Sequence, residues 1–167
     1  MRWILDACTL IYLVKSELFE KFHSLSDNDI HIDTSVYEEA VIEGKNRNCQ
    51  DAFLVENILK KFKIPVIPVE IKEFYDLFHN PGETSTFILA KEDGVGITSD
   101  RRAYNKFYQK KIRVIKLEQF FFQKYTERKL DIQILKEILK KLEDVWAISS
   151  KEHLHILSKI RDKEEKI

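Results

Sequence analysis

Short apolar runs rich in β-branched residues alternate along the chain with longer stretches whose apolar positions recur every three or four residues. The runs fall at 2–6, 30–33, 65–68, 95–98 and 112–115, each short and apolar enough to be a strand buried on both faces. Between them, helical spacing predicts helices over 8–25, 35–43, 49–62, 70–79, 82–93 and 101–110. Strand and helix alternating in this way predict an α/β fold, a mainly parallel sheet of about five strands covered by helices on both faces. Turn chemistry agrees with these boundaries. Asn80-Pro81-Gly82-Glu83 sets a capping residue, a proline at the first helical position and an acid in the first turn. The helix it opens presents Phe87, Ile88 and Ala90 to packing, and Gly94-Val95-Gly96 ends it and leads into Ile97-Thr98.

Beyond about residue 125 the texture changes. Ile132, Leu135, Ile138, Leu139 and Leu142 form one apolar stripe among Lys and Glu, the mark of an amphipathic helix. Ser149-Ser150-Lys151-Glu152 reads as a capping box before a second stripe of Leu154, Leu157 and Ile160. The chain therefore divides into an α/β domain over 1–125 and a helical extension over 126–167. The extension either covers the sheet or offers anchors to a second copy or a partner. The run Arg161–Lys166 reads as a solvated, fraying end. Phe120-Phe121-Phe122 reads as core, with at least one ring exposed if the run is helical.

Composition narrows the function classes. With 28 basic and 28 acidic side chains the net charge is zero, which removes the broad attraction that dominates non-specific DNA binding, so any nucleic-acid contact must be local. No apolar run approaches the roughly 20 residues that span a bilayer, and Asp6 interrupts the first apolar stretch too early for a secretory leader; a cytoplasmic protein is expected. Two cysteines, Cys8 and Cys49, build neither a disulfide framework nor a four-cysteine metal knuckle. His23, His31 and His79 lack carboxylate or cysteine partners at ligand spacing, His153 and His155 fall on different helix faces, and no HExxH occurs, so all five read as structural or surface residues.

The chemistry-bearing residues are acids at element junctions. Asp6 closes the first apolar run, Glu39 and Glu83 lie near helix starts, and Asp100 follows Ile97-Thr98-Ser99. Each has a structural reading: Asp6 and Asp100 as helix caps, Glu83 as the return partner of a capping box opened by Asn80. Ser35 and Glu38 have capping-box spacing, which leaves Glu39 without a local duty. In a parallel sheet all strand exits lie on one edge, so the four acids are expected to converge there. Convergent carboxylates repel one another unless a cation intervenes, and an all-oxygen set favours Mg²⁺ or Mn²⁺ over zinc.

Four blocks carry a family resemblance. Asp6-Ala7-Cys8-Thr9-Leu10 after a hydrophobic strand, Val36-Tyr37-Glu38-Glu39-Ala40-Val41, Gly82-Glu83-Thr84-Ser85-Thr86-Phe87-Ile88-Leu89-Ala90 and Ile97-Thr98-Ser99-Asp100-Arg101-Arg102-Ala103 resemble, in order and spacing, the signature blocks of PIN-domain nucleases. The flavour is that of small prokaryotic members, VapC-type toxins among them, and the resemblance runs through about residue 120. Ser85 departs from the pattern, standing where many relatives carry a second acid.

The resemblance implies a PIN-like three-layer α/β/α fold and a metal-dependent endoribonuclease. Asp6, Glu39, Glu83 and Asp100 would be the catalytic metal ligands, for Mg²⁺ or Mn²⁺. The hydroxyls of Thr9, Thr98 and Ser99 would orient ligands or phosphate. Arg101 and Arg102 are the expected RNA contacts. The Lys106–Arg113 cations with Tyr104, Phe107 and Tyr108 read mainly as a solvated helix with an aromatic core face. Single-stranded or looped RNA, an antitoxin and a second copy of the chain are the partners implied. Two rivals stand beside this reading. A haloacid-dehalogenase-type phosphotransferase wants a second Asp two residues after the first, where this chain has Cys8. A catalytically degenerate PIN domain would instead serve as an RNA- or protein-binding module.

Overall fold

The computed structural model describes residues 1–164; of the expected solvated end, Arg161 and Asp162 are exposed on a helix, and residues 165–167 lie outside the described part. Five strands form one sheet: β1 (Arg2–Leu5), β2 (Ile30–Asp33), β3 (Val66–Ile67), β4 (Gly94–Ile97) and β5 (Val114–Ile115), in the order β3-β2-β1-β4-β5. All four pairings are parallel, with Trp3 opposite both Ile30 and Val95, and Leu5 opposite Ile97. The expected three-layer α/β/α arrangement is the one observed, and each strand overlaps its expected run. The edge strands β3 and β5 are trimmed to two residues each.

The strand order reverses direction at β1, which has β2 on one side and β4 on the other. In open α/β sheets the crevice outside the carboxyl ends of the strands flanking such a reversal is where ligands bind. Here those ends carry Asp6, directly after β1, and Thr98-Ser99-Asp100, directly after β4.

The helices are more broken than their periodicity predicts. The expected helix over 8–25 is two, α1 (Ala7–Lys15) and α2 (Phe19–Leu25). Glu17 at φ 57° turns the chain between them, and the Glu17 and Leu18 amides close on the Val14 and Leu13 carbonyls. The expected helix over 35–43 begins one residue earlier, as α3 (Thr34–Tyr37), and passes through a π-helical segment, Glu38–Glu43, into α4 (Gly44–Asn46). Then come α5 (Gln50–Lys61) and α6 (Tyr75–Phe78), a single turn where a helix over 70–79 was expected, ended by His79 at φ 54°. The remaining helices are α7 (Pro81–Asp93), α8 (Arg101–Gln109), α9 (Leu117–Thr126), α10 (Ile132–Asp144) and α11 (Ser150–Glu164). Of these, α9 has no counterpart among the helices predicted from periodicity. It buries Phe120 and Phe121 completely and Phe122 in part.

One large core joins sheet and extension. Trp3, Leu5, Leu10 and Phe22 share it with Phe120, Leu135, Leu139, Leu142, Ile156 and Ile160, so α10 and α11 are buried in the same cluster as the sheet, although Leu154 of the expected α11 stripe is exposed and Ile156 takes its place. A smaller cluster of Phe78, Phe87 and Phe107 packs under β4, where a side chain at Gly96 would collide with the Phe107 ring at 3.0 Å. The core also holds a charge: Lys124, 1% exposed, runs beneath the Phe120 ring and pairs with Asp27 and Glu127.

Candidate active site

Each candidate acid is positioned by the start of a helix. Asp6 is the N-cap of α1 and accepts from the Thr9 amide at 2.8 Å; Asp100 is the N-cap of α8 and accepts from the Ala103 amide at 2.7 Å. Capping and ligand duty are compatible, because the cap engages Oδ1 of each carboxylate and leaves Oδ2 for another partner. Asn80 caps α7 through the Glu83 amide at 2.8 Å, which fixes Glu83 in the first turn. Glu39 stands on the π-helical segment, a geometry frequent at functional sites because it redirects a side chain without ending the helix.

Ser35 and Glu38 do not form the expected capping box. The cap of α3 is Asp33, which accepts from the Val36 amide at 3.1 Å. Glu38 instead lies exposed while Glu39 is partly buried. The choice of Glu39 over Glu38 thus agrees with the packing for a different reason from the one that motivated it.

The electrostatics place the four carboxylates in one neighbourhood. Burial raises the proton affinity of Asp6, and the charge of Asp100 adds to it, against hydrogen bonding from Thr98 and Thr9. Glu39 is shifted upward by burial and then by Asp6, Glu43 and Asp33. Glu83 is shifted upward by burial and by Asp100, Asp6 and Glu39, with Lys106 partly opposing. Cys8 sits among all four. It keeps access to solvent, yet the surrounding protein desolvates its sulfur and Asp6, Glu39, Asp100 and Glu83 all oppose a second negative charge, so its thiol is pushed up to about 12. Among the described residues, no Lys, Arg or His lies within ion-pair distance of any of the four acids. Close approach is also visible at Gly82, where a Cβ would stand 3.1 Å from Glu39 Oε2. Glu39 faces a cleft of about 530 Å³, which Arg47 and Asn80 also line.

The hydroxyl residues tie the two central strand exits together. Thr9, fully buried, donates to the Ile97 carbonyl at 3.2 Å and accepts from the Ser99 amide at 3.1 Å. Thr98 Oγ1 accepts from the Asp100 amide at 3.0 Å. Ser99 Oγ is shielded from solvent and has no partner. Arg101 and Arg102 are exposed on the first turn of α8. Phe107 on that helix is buried, and Tyr108, 70% exposed, stacks on Tyr104.

Asp33 is the acid the sequence reading passed over. It ends β2 as Asp6 follows β1, it is fully buried, and its Oδ2 has no partner. Burial raises its pKa, while the Ser85 hydroxyl favours its charged form. Ser85 itself is fully buried and donates to the Gly82 carbonyl at 3.1 Å. The carboxylate beside Ser85 is thus supplied from β2. The available signal was positional, an Asp ending a second parallel strand.

No group of three or more His, Cys, Asp or Glu side chains among the described residues is drawn together tightly enough to hold a metal ion, and no described helix is long and apolar enough to cross a membrane. No curated protein matches the sequence significantly. Among solved structures, a domain of a functionally unknown protein from Methanocaldococcus jannaschii DSM 2661 is similar in fold, with a TM-score of 0.51 and 22% identity over 70% of this chain and 90% of that one. The DUF3368 family, described as a PIN domain, matches residues 2–162, which takes in the helical extension as well as the sheet. On that match, the chain belongs to the DUF3368 family of PIN-domain proteins.

Proposed function

We propose that this PIN-domain protein is a Mg²⁺- or Mn²⁺-dependent endoribonuclease whose cation is held by Asp6, Glu39, Glu83 and Asp100. The observation that carries the reading is a set of four acids around the reversal point of the sheet, three of which, Asp6, Glu39 and Glu83, have proton affinities raised by burial and by neighbouring carboxylates, with no cationic side chain paired to any of the four among the described residues. PIN domains are generally nucleases, and the membership supports phosphodiester hydrolysis as the reaction class. An all-oxygen donor set suits a hard dication, and Mg²⁺ keeps several waters and needs only one or two direct carboxylates. A loosely spaced acidic rim therefore fits a hydrated ion better than it fits a closed protein cage. When bound, the ion supplies activation of water and neutralisation of charge developing on the scissile phosphate.

The chain's own residues do the positioning. Thr9 ties the α1 start to the β4 exit, and the Thr98 hydroxyl accepts from the Asp100 amide and supports the charged form of Asp6, so the same hydroxyls hold both acids in place. Arg101 and Arg102 on the α8 start are placed to engage RNA phosphates beside Asp100. Asp33 acts through the backbone by capping the helix that leads to Glu39. The second reading, a binding module without catalysis, is favoured by the absence of a tight three-ligand cluster among the described residues.

The deciding experiment is cleavage of an end-labelled single-stranded RNA with Mn²⁺, with and without EDTA, by the wild type, Asp6→Ala and Asp100→Ala. The nuclease reading expects cleavage by the wild type alone, abolished by EDTA. RNA binding without any metal-dependent cleavage would establish the module instead.

A further inference from the structure

A second feature lies on the other side of Asp100. Ser99 and Arg101, its two chain neighbours, line a groove of about 750 Å³ whose far wall is the turn between α10 and α11. The groove thus opens from the edge of the acidic rim and runs along the helical extension. Its walls carry the cations Arg101, Lys116 and Lys151, with His155 beside them, against one acid, Glu152. Lys116 pairs with Glu152, so that anion is already neutralised, while Arg101 and Lys151 are exposed and make no ion pair among the described residues. In a chain of zero net charge, this is a local cationic surface adjoining an anionic one.

Trp146 supplies the other half of the chemistry. It is 86% exposed, the most exposed of the large apolar side chains, and it lines the groove. Its backbone is at φ 63°, with its amide on the Glu143 carbonyl and the Ala147 amide on the Leu142 carbonyl. This is the helix-ending turn that ordinarily takes glycine, and a bulky side chain there is strained. Among the described residues the chain turns seven times in this left-handed conformation without glycine, at Glu17, Asn48, Lys63, His79, Lys111, Arg128 and Trp146. Six of those residues are polar and favour the water they face. Trp146 alone sets a large ring into solvent, and neither the exposure nor the strain is offset by packing.

A flat aromatic face beside unpaired cations is the combination that binds single-stranded nucleic acid, the ring stacking a base and the cations tracking phosphates. Duplex is excluded from such stacking because its bases face one another. We infer that the groove between Ser99-Arg101 and the α10–α11 turn seats the single-stranded RNA flanking the cleavage point, with Trp146 as the stacking platform. Lys151 and His155 line the path of the backbone. The inference rests on the nuclease reading for the direction of the strand, and it assigns the helical extension a role in substrate binding.

The chain has two tryptophans, and the other, Trp3, is buried edge-on against Phe120. Intrinsic fluorescence therefore reports on Trp146 directly. The test is titration of the protein in EDTA with a 2′-O-methyl single-stranded oligonucleotide of about ten nucleotides, which resists hydrolysis and matches the site sizes of stacking grooves. The wild type should show saturable quenching, with a matched duplex binding more weakly. Trp146→Ala should lose the quench and, by the anisotropy of the fluorescein-labelled oligonucleotide, raise Kd about tenfold relative to the wild type, and Trp146→Phe should recover most of the affinity by the same readout. Lys151→Glu should weaken binding and flatten its salt dependence. Equal Kd for wild type and Trp146→Ala, or no binding of the oligonucleotide at all, overturns the inference. Quenching without metal-dependent cleavage would leave the groove standing and remove the nuclease reading. Cleavage with KM unchanged in Trp146→Ala would remove the groove and leave the nuclease.

Discussion

Two of the places where the molecule buries charge treat it in opposite ways. Under α9, Lys124 is almost completely enclosed, yet Asp27 and Glu127 meet its ammonium group and the Phe120 ring lies over it. Asp27 is held at a pKa of about 2 by hydrogen bonds from Lys124 and Lys129. At the strand exits, Asp6, Glu39, Glu83 and Asp33 are all shifted the other way, by burial first; the charges of neighbouring acids add to the shift at Asp6, Glu39 and Glu83. A buried charge with its partner present belongs to the architecture. A group of like charges without one is destabilising on its own account, and perturbed carboxylates in a cleft mark candidate functional sites.

The sharpest way to break this comparison is to remove one member from each side. Lys124→Ala strips a packed stem and the shared partner of two acids. Because Asp27 and Glu127 can rehydrate, the loss should be about 2 kcal/mol, below the range for stranding a buried ion. Urea denaturation measures it. Asp6→Asn should do the reverse in metal-free buffer, gaining about 1 kcal/mol, since Asn caps a helix as well as Asp and relieves the repulsion.

The pH dependence of these two effects should also differ. A carboxylate whose folded pKa is raised binds more protons in the folded than in the unfolded state, so stability falls as pH climbs from its ordinary value through the raised one. The advantage of Asp6→Asn over the wild type should therefore be largest at the alkaline end and shrink as pH drops toward the ordinary carboxylate range. The Asp27 contribution has the opposite sign. It is present above the unfolded pKa and lost only as pH falls through about 2, so the Lys124→Ala penalty should stay flat between pH 8 and 5. Thermal melts of the three proteins across that range check both. The smallest effect is expected from Gly82→Ala: the new methyl would press on Glu39 Oε2 at 3.1 Å, lowering metal-dependent cleavage about threefold with stability changed by less than about 0.5 kcal/mol. Paired rate and melting measurements separate the two.

What the sequence made legible follows from where its signals are local. Strands were readable because short apolar runs bounded by turns have few other readings, and the convergence of Asp6 and Asp100 followed from a parallel sheet alone. One helix break was not readable, because the chain turns at Glu17, where glycine would have announced the turn, whereas the end of α7 at Gly94 was. The α1–α2 break was hidden for that reason. Asp33 was missed because its carboxylate is distinguished only by burial, and Lys124 because nothing near it in sequence announces that a lysine amid Phe and Tyr will be enclosed. The groove beside Trp146 joins residues 99–101 to residues 146–155, a juxtaposition that no local pattern encodes.

The account stands or falls on whether the carboxylates at the strand exits gather a hard cation. Titration of Mn²⁺ into the protein, followed by the electron paramagnetic resonance signal of the free ion, should show saturable binding in the wild type that Mg²⁺ displaces, with Asp6→Asn and Asp100→Asn weakened at least tenfold. Mn²⁺ bound equally well by all three proteins, or not bound by the wild type, would contradict it.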